Sequence, residues 1–336
     1  MKTKTINKII TSKFNQWVKT ITDDSVRQLV EKNTIMTGGA IASMLLNEDV
    51  NDFDFYFRNK ETTLAVAKYY VAQFLKDKEA MKTAQDTKDL VGEAAADIIT
   101  ETAEVESVPE NDNTGITVPI SVREEGDRIK IVAKSAGISS VEDGENSYQY
   151  FEMSGVPMRD AGGNYIEGLV DISNQLRKNS EKKFKPVFLS SNAITLTDQV
   201  QIVIRFYGEP SVIHENYDFA HCRNYWTSWD NDVHLDPKAL ECLLTKELVY
   251  IGSKYPLASV CRIRKFIKRG WHINAGQLLK ILMQLSELNL KDFKVLEEQL
   301  TGVDMAYFHE ILAKLRSTDP SAVNVSYLTT LIDELF

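Results

Sequence analysis

Residues 34–57 read TIMTGGAIASMLLNEDVNDFDFYF, and the change of texture along them decides the fold. A short apolar run, Ile35-Met36, ends on Gly38-Gly39. Ala40 to Leu46 then form an apolar, helix-like run, and a polar turn follows. Asp-Phe-Asp-Phe-Tyr-Phe alternates as a half-buried strand does. On such a strand Asp52 and Asp54 point to one face and Phe53 and Phe55 to the other, with the carboxylates roughly 7 Å apart. Two carboxylates on one face can grip a divalent cation. A glycine pair before a helix lets bare backbone N–H groups approach a phosphate. Taken singly, a Gly-Gly reads as a tight turn and an Asp-x-Asp as a solvated strand face.

Together, in the order strand, Gly-Gly, helix, Asp-x-Asp strand, these residues resemble the nucleotidyltransferase fold of poly(A) polymerases and CCA-adding enzymes. Gly38, Gly39, Asp52 and Asp54 fill the signature positions. After the glycines CCA-adding enzymes carry Val-Arg-Asp, whereas this chain has Ile41-Ala42-Ser43. The resemblance implies an α+β fold, a mixed sheet with helices, followed by an all-helical C-terminal domain. It also implies Mg²⁺ or Mn²⁺ on the carboxylates and an NTP substrate, ATP foremost. Gly38, Gly39 and Ser43 would then lie along the nucleotide.

The whole chain narrows the class. Its 336 residues suggest two domains, or one with a large insertion. A net charge of −9 excludes a uniformly basic nucleic-acid binder but leaves room for a local basic patch. Cys222, Cys242 and Cys261 are too far apart for a zinc pattern and suit a reducing cytosol. MKTKTINKIITSKFNQW lacks the continuous apolar region of a signal peptide, and no run approaches a membrane span, so a cytoplasmic protein with no membrane partner is expected.

Working outward, Ile6 to Glu31 predict one or two amphipathic helices, and Glu61 to Leu75 another. The expected catalytic domain covers 1–235, with an acidic insertion at about 82–183. Between Lys88 and Arg123 there are eight acidic residues and no Lys or Arg, which predicts a partly mobile surface segment. Within the insertion, ISVREEGDRIKIVAKSAG predicts a hairpin about Glu-Gly-Asp. PVFLSSNAITLTDQVQIVIRFYG predicts two β-rich runs joined at Thr197-Asp198-Gln199. IHENYDFAHCRNYW reads as a further strand with Asp218 at its start. The family's third carboxylate comes from a neighbouring strand, so the resemblance points to Asp218, with Glu215 and Asp230 as alternatives. His214 and His221 read as packed or hydrogen-bonded side chains.

From 236 to 336 the pattern is helical. Pro256 suits a helix start and Gly270 its cap. The helix at about 256–269 is basic. Arg262, Lys265 and Arg269 share one face, and Arg264 and Lys268 another. By itself this is a solvated face. It resembles the Asp-Pro-x-Arg-x-x-Arg-x-x-Arg-Phe helix of CCA-adding enzymes, with Pro256, Arg262, Arg264 and Phe266 as the nearest equivalents. The resemblance then gives Lys254, Arg262 and Arg264 to the triphosphate.

Across ENYDFAHCRNYW and LVYIGSKYPLASVCRIRKFIKRGWHINAGQ the chain is also similar to uncharacterised nucleotidyltransferases encoded by tailed phages, which implies the host cytoplasm or a virion as its place. The implied activity is metal-dependent transfer of NMP to a hydroxyl of RNA, a protein or a small molecule, with Asp52, Asp54 and Asp218 as the catalytic and metal-binding residues. A catalytically inactive structural or virion-associated protein, and a nucleotide- or RNA-binding regulator, are the alternatives.

Overall fold

A computed structural model describes residues 1–77, 120–133, 151–153, 183–290, 292–300, 326–327, 329–330 and 333. The N-terminal segment forms two helices, α1 (Thr3–Val18) and α2 (Asp24–Asn33). Asp23 separates them because its carboxylate accepts from the N–H groups of Ser25 and Val26, a standard N-cap. The deciding stretch then folds as its texture requires, into β1 (Thr34–Thr37), α3 (Gly39–Leu46) and β2 (Phe53–Phe57). A helix over 60–77, α4, follows.

The hairpin expected in the insertion forms as β3 (Ile120–Glu125) and β4 (Arg128–Ala133), with Glu125 paired to Arg128 across the turn. Gly126, at φ 58°, supplies the left-handed turn residue. The hairpin packs on the main core, where Ile129 and Ile131 are fully buried. A three-residue strand, β5 (Phe151–Met153), pairs with β6 (Pro186–Ser190) and so belongs to the main sheet. The acidic stretch Asp89 to Asp112 lies outside the described residues.

The two runs expected at 186–208 are three strands, β6, β7 (Ala193–Leu196) and β8 (Val200–Tyr207). The extra turn is at Ser191-Asn192. There Ser190 Oγ accepts from Ala193 N and donates to Ala193 O, closing the chain on itself. The strand expected in IHENYDFAHCRNYW is also corrected. Pro210 starts a short helix, α5 (Pro210–His214), and residues 220–222 form a 3₁₀ turn. Only Tyr225–Thr227 extend, as β9, followed by β10 (Asp232–His234). Proline at a first helical position favours a helix start over a strand.

The eight-stranded sheet runs β10-β9-β1-β2-β8-β7-β6-β5. β2 pairs antiparallel with β1 and parallel with β8; the other neighbours are antiparallel. With its helices, the sheet makes the protein α+β. One face carries the core. Phe53, Phe55 and Phe57 of β2 and Val200, Ile202 and Ile204 of β8 are buried against α1, α2 and α4. Trp17 stacks on Phe55 at 4.9 Å and donates its indole N–H to Tyr70 Oη at 2.6 Å. A one-residue slip of β2 would bring Asp54 into this core and expose three phenylalanines, each worth about 1.5–3 kcal/mol when buried. That asymmetry fixes which face Asp54 shows.

After Asp236, whose carboxylate caps it, come α6 (Pro237–Thr245), α7 (Pro256–Lys268), α8 (Ala275–Ser286) and α9 (Phe293–Leu300). Gly270 at φ 81° follows the end of α7 as its sequence suggests. These helices are tied to the sheet region. Ala42 of α3 and Phe219 share a core cluster with Cys242, Ile263 and Trp271.

Candidate functional site

The sheet face opposite the core lines a cavity of about 410 Å³, within the range of small-molecule sites. β2 gives it Asp54 and Tyr56, β8 gives Gln201, Val203 and Arg205, and β6, β7 and the turn between them give Phe188, Ser190, Asn192, Ala193 and Thr195. Its other wall comes from 216–218, Cys222, 253–255, Arg262 and Phe266. Six residues expected at a nucleotide site therefore meet in one cavity: Gly38, Asp52, Asp54, Asp218, Lys254 and Arg262. Gly39, Ser43 and Arg264 are not among its lining.

Gly38 sits at φ 103°, ψ −154°, a region that only glycine occupies without strain. A Cβ there would stand 3.0 Å from Asp54 Oδ2 and 3.6 Å from Tyr217 Oη. The turn therefore lies directly against the carboxylate. The Gly38 N–H donates to Cys222 O at 3.2 Å. That corrects the expectation that both glycines offer their N–H to a phosphate. The leading N–H groups of α3 begin at Gly39, and no side chain caps them.

Asp52 lies just before β2, not within it, yet it shares the cavity with Asp54. The third carboxylate was expected on a strand next to β2. The strands beside β2 are β1 and β8, and the partners of Asp54 on them are Thr37 and Gln201. Asp218 reaches the cavity from a loop. Its carbonyl accepts Ile251 N at 2.9 Å, and Ala220 N donates to Val249 O at 3.0 Å, which holds the loop against 249–251. The Asp218 carboxylate is nearly buried and paired with Arg262 Nη1. Of the alternatives, Glu215 is exposed, and Asp230 is bonded to Thr227 and His234 away from the cavity.

Among the described residues, no group of three or more His, Cys, Asp or Glu side chains is arranged to hold a metal ion. Asp52, Asp54 and Asp218 line the same cavity, and Asp218 is paired with Arg262. Asp52 and Asp54 remain on the cavity wall. Two carboxylates completed by phosphate oxygens and water are the usual protein share of a Mg²⁺ site, so these residues fit the ion in the presence of a nucleotide.

Two further arginines, Arg264 on α7 and Arg269 just past its end, have separate partners. Arg264 pairs with Asp333, and Arg269 pairs with Glu48 and donates to Ser43 Oγ at 3.4 Å. Ser43 is thus a buried link between α3 and the end of α7. His214 is hydrogen-bonded, as expected: its Nε2 lies 2.9 Å from Thr37 Oγ1, which itself donates to Asn224 O at 3.0 Å. This leaves Nε2 as the donor and the ring neutral, and burial brings its pKa down to about 4. His221 is packed against Phe266 and Trp271, at 4.6 and 4.5 Å between rings, with neither nitrogen bonded. Burial lowers its pKa to about 4 as well.

Sequence reasoning missed Gln201, Arg205, Tyr217 and Tyr255 in the lining. The signal was there for β8: in VQIVIRFY the two polar residues alternate with an apolar set that must face the core.

The family model described as Gad2, Gabija anti-defense 2 family protein, matches residues 8–246. No curated protein and no solved structure matches the chain. The matched span holds the sheet, Gly38, Asp52, Asp54 and Asp218, and ends before Lys254 and Arg262. Among the described residues no helix is long and apolar enough to cross a membrane.

Proposed function

The chain belongs to the Gabija anti-defense 2 family, a phage-related family, and from that premise we propose that it counters the Gabija defence by nucleotidyl transfer in this cavity. The observation that carries the reading is the turn at Gly38 pressed against Asp54 Oδ2, with Asp52 lining the same cavity. It is the local arrangement that the nucleotidyltransferase resemblance calls for. Gly38 lines the cavity, and a triphosphate reaching past it would meet the uncapped backbone N–H groups at the start of α3. Asp52 and Asp54 would hold Mg²⁺ or Mn²⁺, which when bound would supply charge neutralisation at the phosphate oxygens.

The acceptor oxygen forms its bond to the α-phosphorus, the bond to the bridging oxygen breaks, and pyrophosphate leaves. Asp218 Oδ2 is engaged by Arg262, so Oδ1 is the oxygen available to receive the acceptor proton. Arg262, held beside Asp218, positions that carboxylate and faces the same cavity. The host cytoplasm is where such an activity would act.

The test is incubation of the full chain with each α-labelled NTP and Mg²⁺ or Mn²⁺. The acceptor panel is host RNA, host protein, the Gabija proteins and small metabolites. Label transfer with pyrophosphate release, lost in Asp54→Asn, is expected. NTP binding without pyrophosphate release would instead favour the non-catalytic regulator, a reading that the Asp218–Arg262 pair supports, since Asp218 is already engaged by a cation. No NTP- or metal-dependent change of any kind would sink both.

A further inference from the structure

The arginines of α7 that sequence reading gave to phosphate already have carboxylate partners. Arg262 pairs with Asp218 and Arg264 with Asp333. The cavity nevertheless contains two cations that make no ion pair among the described residues, Arg205 and Lys254. They share one ring: the Arg205 guanidinium lies 5.4 Å and the Lys254 ammonium 5.3 Å from the centroid of Phe206. Arg205 also lies 4.7 Å over Tyr255. Its Nε is buried and has no hydrogen-bond partner. Burial draws the Arg205 pKa down to about 10; Arg128 nearby adds to this, and Glu298 opposes it. A largely buried guanidinium with an unmade charge-assisted donor is costly to hold, and an anion in the cavity would relieve that cost.

Their place in the sheet says which anion. Thr37 pairs with Asp54, so β1 leaves the sheet toward Asp52, and α3 starts on that side. β8 bulges in the other direction. Phe55 pairs with Ile202 but Phe57 with Tyr207, which sets Arg205 level with Tyr56, past Asp54. Bulges commonly re-aim a side chain beside a site. Asp54 therefore stands between the start of α3 and Arg205. A triphosphate bound at α3 leaves Arg205 and Lys254 to the other substrate.

Resting on the nucleotidyl-transfer reading, we infer that Arg205 and Lys254 form an acceptor subsite for a phosphate group, so that the attacking hydroxyl belongs to a nucleotide, free or at the end of a nucleic acid. Aromatic faces beside the two cations suit a nucleotide over a plain sugar phosphate.

The experiment is equilibrium titration of the full chain with each nucleoside monophosphate and, as its uncharged counterpart, the nucleoside. Both are repeated in the presence of Mg²⁺ and the non-transferable α,β-methylene triphosphates. At least one monophosphate should bind roughly tenfold more tightly than its nucleoside, from one charge-assisted contact. Arg205→Gln and Lys254→Gln should each remove most of that advantage while leaving the nucleoside unaffected. Arg205→Lys, which restores the charge, should recover part of it and shows that the fold is intact. Monophosphate and triphosphate analogue should bind together. A short oligonucleotide with a free 3′-hydroxyl separates the sources: Arg205-dependent binding tighter than the mononucleotide's assigns a nucleic-acid end, and weaker binding assigns a free nucleotide. Equal binding of monophosphate and nucleoside, unchanged affinity in both Gln variants, or mutual exclusion of monophosphate and triphosphate would each overturn the acceptor subsite. If the wild type releases no pyrophosphate yet keeps Arg205-dependent monophosphate binding, the transfer reading fails and the phosphate subsite stands.

Discussion

Replacing Gly38 by alanine tests the feature on which the site rests. At φ 103°, ψ −154° an L-residue is strained by about 1–3 kcal/mol. The new Cβ would also meet Asp54 Oδ2 at 3.0 Å, closer than ordinary contact, and Asp54 sits on a strand that cannot shift without disturbing Phe53 and Phe55. Displacing that carboxylate adds a cost of order 1 kcal/mol, so Gly38→Ala should lose about 2–4 kcal/mol in all. Gly39 supplies the internal control. Its Cβ would meet nothing within 4 Å, and it is the first residue of α3. Gly39→Ala should be neutral or stabilise by up to about 1 kcal/mol, since alanine is the better helix former. Urea unfolding of the two variants at pH 7, without metal, gives the difference directly. Midpoints within experimental error of one another would refute the assigned turn geometry and, with it, the closeness of the glycine turn to Asp54. Stable Gly39→Ala protein that has lost nucleotide binding would fit a ligand passing close to the backbone there.

Further outcomes follow from the same geometry. Asp54→Asn should hold or slightly raise stability without metal, because it relieves carboxylate repulsion, and should lose the thermal shift given by Mg²⁺ with NTP; an undiminished shift would remove Asp54 from the site. Asp218→Asn should cost about 1–3 kcal/mol in urea unfolding, because Arg262 loses its charged partner; a change below about 0.5 kcal/mol would mean the pair is not formed in solution. Arg264→Ala should change nucleotide affinity little, since its guanidinium pairs with Asp333 outside the cavity, whereas Arg262→Ala should weaken binding; equal losses would count against this division. His214 and His221 titrate near 4 when folded against about 6.5 when unfolded. The folded state then binds fewer protons in that window. The stability they contribute is fully present above about pH 6.5 and is lost as pH falls toward 4, by up to about 3 kcal/mol each. His221→Phe should flatten the fall, and an identical pH profile would show that His221 is not buried neutral.

The deciding stretch was legible because its residues interact locally or with their immediate strand neighbours. Period-two alternation sets the face of Asp54, and a glycine pair marks a turn that a Cβ would block. The hairpin at Gly126 and the cap at Gly270 were legible for the same reason: each is encoded within a few residues. The strand at 213–226 was misread because Pro210 and the 3₁₀ turn at 220–222 act over too few residues to show a period.

What the sequence concealed was charge pairing. α7 presents its basic residues at regular helical spacing, and spacing alone cannot say which of them is neutralised. The partners lie far away in the chain: Asp218 is 44 residues from Arg262, Asp333 is 69 from Arg264, and Glu48 is 221 from Arg269. Arg205 was overlooked because one arginine in VQIVIRFY makes no cluster. Its setting in the folded chain gives it weight, since it is half-buried, level with Tyr56 across a bulge, and set against the Phe206 ring that Lys254 also approaches. A cationic helix is therefore a poor guide to where this protein would hold phosphate. The better guide is a largely buried cation that makes no ion pair among the described residues, because a poorly compensated buried charge is the one a bound anion stabilises most.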